Sequence, residues 1–204
     1  MSDIDKSIFL WYNMLNYTKR GDIVKNRVYT LKITISALCL ALCYTLPFLT
    51  GQIQQIGNML CPMHIPVLLC GFLCGWGWGL GVGFIAPLLR SLTLGMPVLF
   101  PSALCMAFEL CAYGAFSGLL HRLLPRKKPY IYVSLLSSML IGRVIWGVSM
   151  LICTGIKGSG FTFGAFIAGA FTNAFPGIII QIVLVPILII ILENPKVLNL
   201  NERK

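Results

Sequence analysis

From Pro62 to Leu94 the chain reads PMHIPVLLCGFLCGWGWGLGVGFIAPLLRSLTL, an apolar run whose only formal charge is Arg90. At ~1.5 Å per helical residue it would extend about 50 Å, well beyond the ~30 Å hydrocarbon core that one straight span crosses. The run must therefore fold back on itself. The break falls at Gly75-Trp76-Gly77-Trp78-Gly79, where glycines permit a tight turn and Trp side chains suit a membrane interface. Two short helices result, one from Ile65 to Cys74 or Trp76 and one from Leu80 to Leu94, each just long enough to span.

The rest of the chain fits the same solvent. It is 57% hydrophobic and 11% charged, with a mean hydropathy of +0.85, so too few charges exist to coat a soluble globule. The net charge of +10 reflects Lys and Arg flanking hydrophobic spans, where they set topology and face anionic lipid; nucleic acid is not an expected partner. Of the eight cysteines, most lie in apolar runs. Cys39/Cys43 and Cys70/Cys74 have helical spacing, but no neighbouring His or carboxylate completes a metal site, and packing is the expected role. No cleavable signal peptide is expected, because a polar segment precedes the first span.

Residues 1–27 read as a cytoplasmic segment in which Ile8, Trp11, Tyr12 and Leu15 form a short amphipathic helix on the membrane surface. Lys19, Arg20, Lys25, Arg27 and Lys32 then mark the cytoplasmic side of a first span over Leu31–Leu49. In that span Ala37 and Ala41 form a small-xxx-small face, suited either to packing within the bundle or to close approach by another protein. The uncharged stretch Gly51–Cys61 offers Gln52, Gln54, Gln55 and Asn58 at the outside, to ligand or to water. After the two short spans, a fourth covers Ser102–Leu120 and ends at the basic block His121–Pro129. Four crossings from an inside start return to the inside at that block, so charge as well as length requires the hairpin.

A fifth span over Tyr132–Cys153 leads to the glycine-rich segment Thr154–Gly160, expected outside. A sixth enters between Phe163 and Pro176, with Pro176 and Pro186 bending or restarting it. The expected fold is thus an all-α membrane protein: a six-transmembrane-helix bundle over residues 28–193, both termini cytoplasmic, with a short tail at 194–204.

Three charges remain inside apolar runs: Arg90, Glu109 and Arg143. Each costs roughly 2.5–3.5 kcal/mol at mid-membrane, so each needs a partner, a cavity or water. The topology brings all three, together with His64 and Asn173, to the outer half. They read either as a ligand pocket open to the outside or as an Arg90–Glu109 structural pair with the others solvated. Helical spacing adds Met106 and Tyr113 beside Glu109, and Trp146 and Met150 beside Arg143. Enzyme chemistry is disfavoured: there is one intramembrane carboxylate, no nucleophile motif, and no strand before the glycine run Gly75–Gly83 that would make it a phosphate loop.

Ala37-Leu-Cys-Leu-Ala41, Pro62-Met-His-Ile-Pro66 and Asn173-Ala-Phe-Pro-Gly177, set in a six-span plan with a basic approach to the first helix, together resemble the substrate-binding S components of energy-coupling factor (ECF) vitamin transporters. The resemblance covers Val28 to Leu192. It implies a non-enzymatic, high-affinity binding subunit in a prokaryotic plasma membrane, working with a transmembrane coupling subunit and two cytoplasmic ATPases. Ala37 and Ala41 would contact the coupling subunit. The ligand would lie in the outer half, under Gly51–Cys61 as lid, and the S component would topple to release it inside. His64, Arg90, Glu109, Arg143 and Asn173 are the candidate substrate contacts; no cofactor or metal is implied. The excess of cationic groups favours an anion such as a pantothenate-like carboxylate. The competing reading is a stand-alone proton- or ion-coupled carrier titrating at Glu109 and His64.

Overall fold

The computed structural model describes residues 26–50, 60–125, 127–156 and 162–192. The expected amphipathic helix at Ser7–Leu15, the basic residues Lys19, Arg20 and Lys25, the polar side chains Gln52, Gln54, Gln55 and Asn58, and the tail after Leu192 lie outside the described residues.

Among the described residues all regular structure is helical. Helix α1 runs Asn26–Phe48 and tightens into a 3-10 turn at Leu46–Thr50. Helix α2 is His64–Cys74 and α3 is Trp76–Leu94. A π-turn at Leu99–Ala103 leads into α4, Leu104–Leu123. Helix α5, Lys128–Ile156, is followed by the short α6, Phe163–Ile167, a π-turn at Ala168–Thr172, and α7, Phe175–Leu192. Five of these helices are long and apolar enough to cross a membrane: α1, α3, α4 with its leading turn, α5 and α7.

The fold-back expected near Gly75 is present and confined to one residue, and the helix before it has the expected bounds but is too short to span. Gly75 alone breaks the helix, at φ 101° and ψ 171°, a conformation essentially reserved for glycine. The remaining Trp-Gly repeat belongs to α3, and Trp78 meets Tyr29 of α1 edge-on, at 5.6 Å between ring centroids. With 11 residues, α2 rises only about 16 Å, near half the hydrocarbon thickness. It starts at His64 because Cys61, at φ 46°, and Pro62 turn the chain into the helix there, where the His64 N–H donates to the Cys61 carbonyl at 3.1 Å. The restart near Pro176 is as expected: proline sits in the first turn of α7, where no N–H is needed.

Contacts fix the helix directions. Lys32, Ser36 and Cys43 of α1 meet Cys74, Cys70 and Met63 in reverse order, so α1 and α2 are antiparallel. Gly79 and Gly114 lie backbone to backbone, as do Gly83 and Leu110; a Cβ at Gly79 or Gly114 would overlap the facing main chain, and the close approach needs glycine on both helices. Helix α4 is the central element, packed against α2, α3 and α5, and more of it is buried than of any other candidate span. Helix α7 closes the bundle against α2 and α5. The apolar core joins Cys39 and Cys43 of α1, Leu68 and Cys70 of α2, Leu110 and Tyr113 of α4, Leu135 and Met139 of α5, and Val185 and Ile189 of α7. None of the eight cysteines is disulfide-bonded.

Candidate functional site

The core is topped at one end by a buried polar cluster. The turn at Cys61 delivers His64 to the first position of α2; Glu109 lies one turn into α4, with Tyr113 one turn further along the same face, and Arg143 comes from the middle of α5. Arg143 Nη1 lies 2.9 Å from Glu109 Oε1, and His64 Nε2 lies 3.4 Å from the same oxygen. Arg143 Nη2 reaches the Cys61 sulfur at 3.8 Å. The Tyr113 ring meets the His64 ring edge-on at 5.1 Å. Its hydroxyl is buried without a hydrogen-bond partner in the protein. Glu109 is 1% exposed and Arg143 6%.

Two opposite charges so deep hold each other in place: each supplies the counter-charge that lost hydration would otherwise provide, and removing either strands the other. The pair does not exhaust the polar atoms of the cluster. Arg143 Nε, His64 Nδ1 and the Tyr113 hydroxyl are buried without a hydrogen-bond partner in the protein. One carboxylate thus orients a guanidinium and an imidazole while leaving polar atoms of both without a protein partner, an arrangement that can bind a polar group of a small molecule. Among the described residues no three His, Cys, Asp or Glu side chains form a metal site.

The structure brings together His64, Glu109 and Arg143 of the sequence candidates, and leaves Arg90 and Asn173 elsewhere. Arg90 does not pair with Glu109. Its Nε donates to the Met96 carbonyl at 3.2 Å and its Nη1 to the Tyr44 carbonyl at 3.1 Å, while the guanidinium lies over the Phe48 ring at 5.5 Å. Arg90 therefore ties the end of α1 to the α3–α4 connection. Asn173 is exposed, and its N–H donates to the Ala168 carbonyl at 2.8 Å. Of the flanking side chains, Met106 packs on the core, Trp146 stacks on Phe166 with centroids 6.3 Å apart, and Met150 is half-buried. Ala37 and Ala41 are exposed on the side of α1 that faces away from the bundle, opposite the buried Cys39 and Cys43.

Sequence reasoning missed two buried groups, one in the cluster and one on α7. In the sequence Cys61 ends the uncharged stretch Gly51–Cys61, and its role as sulfur acceptor depends on a backbone turn that hydropathy does not report. Gln181 is fully buried in α7 with neither amide atom hydrogen-bonded; its signal was available as the lone polar side chain between Phe175 and Leu192.

A bundle of apolar helices, five of them long enough to cross a membrane, with a buried polar site at one end defines a multi-pass membrane protein. A family model described as ECF transporter, substrate-specific component matches residues 31–189, and the chain belongs to that family. It is accordingly a substrate-binding transport subunit, with a small-molecule substrate and an ECF module as partner. No curated protein and no solved structure matches it.

Proposed function

We propose that this protein captures a vitamin or vitamin precursor bearing an anionic or strongly accepting group, a pantothenate-like carboxylate first, at the outer face of a prokaryotic plasma membrane, and delivers it inside when docked to the coupling subunit and its two ATPases. The observation that carries this reading is the buried Arg143, oriented by Glu109, with its Nε, like His64 Nδ1 and the Tyr113 hydroxyl of the same cluster, left without a protein partner. His64, Glu109 and Arg143 form the core of the substrate site; Arg90, engaged with Tyr44 and Met96, and Asn173, on the surface, stand outside it. The coupling subunit docks on the exposed Ala37/Ala41 face of α1, where small side chains allow close helix approach. In the membrane, α2 and α3 act as the second and third of six crossings, with both termini cytoplasmic.

The test is to purify the protein in mild detergent from a host grown in rich medium, denature it, and identify released small molecules by mass spectrometry. A vitamin at near-stoichiometric amount supports the proposal. A folded but empty protein overturns high-affinity capture and favours the stand-alone carrier, for which the His64–Glu109 contact would be the proton-handling pair; uptake independent of the ATPases and abolished with the proton gradient would establish that alternative.

A further inference from the structure

Helix α7 turns Gly177, Gln181, Val185 and Ile189 toward the bundle interior, one residue per turn. Val185 and Ile189 belong to the common apolar core with Leu68, Tyr113 and Met139. Gln181 stands one turn, about 6 Å, beyond Val185 toward the start of α7. That helix packs against α2 and α5, the two elements that supply His64 and Arg143. The Gln181 side chain is 0% exposed, and neither Nε2 nor Oε1 has a hydrogen-bond partner in the protein.

An unpaired buried carboxamide costs the desolvation of a donor and an acceptor, and a Leu or Met of similar volume would remove that cost. Among the described residues the amide has no hydrogen-bond partner, which leaves it available to a group outside the chain. A planar amide offers one donor and one acceptor side by side, and its complement is another such edge: a secondary amide, a lactam or a pyrimidinone.

Resting on the reading of the charged cluster as the substrate site, we propose that Gln181 is a specificity-determining contact that pairs its carboxamide with an amide-type donor–acceptor edge of the substrate, whose anionic or accepting end meets Arg143 and His64. Sites that read a polar edge with a buried polar group discriminate strongly against molecules lacking it, because the protein group is then left unpaired.

Wild-type, Gln181→Leu and Gln181→Met proteins, purified from the same rich-medium culture, are denatured and their released small molecules identified and quantified by mass spectrometry; the melting temperature of each is measured after the bound molecule has been removed by dialysis. The expected result is a wild-type compound containing an amide-type edge, retained at least about tenfold less by both variants, with stripped variants melting no lower than stripped wild type. Equal retention by the variants, or a wild-type compound without a donor–acceptor edge, overturns the role of Gln181 while leaving substrate capture standing. Variants that lose the compound and also melt well below wild type assign Gln181 to the fold and overturn the proposal too. A folded, empty wild type removes the substrate-site reading and this inference with it.

Discussion

Glu109 is the residue on which the polar cluster turns, since its Oε1 faces both Arg143 and His64. Glu109→Gln leaves a buried guanidinium without counter-charge, and the expected loss is about 3–5 kcal/mol, read as a lower melting temperature in detergent. Adding Arg143→Met to that variant should recover most of the loss, because no charge is then stranded; a double variant as unstable as the single one would contradict the ion-pair account. Arg90 has a different part. Arg90→Met strips the Tyr44 and Met96 carbonyls of their donors, with an expected cost of about 2 kcal/mol. The bound-molecule content per folded protein should stay at the wild-type level, since Arg90 does not join the Glu109 cluster. A folded Arg90→Met protein emptied of its compound would return Arg90 to the substrate site.

At the scale of helices, the tightest junction is where α3 crosses α4 at Gly79 and Gly114. Gly114→Val inserts a branched side chain against main chain that has nowhere to move, and a loss of about 3 kcal/mol, the upper end of overpacking, is expected in thermal unfolding. Gly77→Val and Gly81→Val on the same α3 meet nothing within 4 Å, and should leave the melting temperature nearly unchanged; equal damage at all three positions would show that glycine matters through helix propensity and not through contact. Helix α1 offers the complementary case. Ala37→Leu and Ala41→Leu enlarge a face that is already exposed, so folding and substrate binding should persist while ECF-dependent uptake is lost. Normal uptake in both variants would remove the docking assignment.

For the molecule as a whole, the proposed topology, which rests on the basic connection after α4, has the Gly75 corner and Lys128 on the cytoplasmic side and Met96 outside. A phosphatase fused after Met96 should be active, and a fluorescent reporter fused after Lys128 should fluoresce; the reverse pattern would invert the topology. The sequence by itself determined the membrane solvent, the all-helical class, the break at Gly75, the restart near Pro176, and the fact that His64, Glu109 and Arg143 sit toward one end. Each follows from local quantities: hydropathy along the chain, the backbone freedom of glycine, the missing N–H of proline, and position along a helix. The tertiary structure alone decided that Arg143 and not Arg90 meets Glu109, that Gly79 faces Gly114, and that Gln181 turns inward. Those outcomes depend on the rotation of each helix about its axis and on the register between neighbours. In a chain whose helices are apolar on nearly every side, no hydrophobic stripe marks the inner face, and only the packing of one helix on the next selects it.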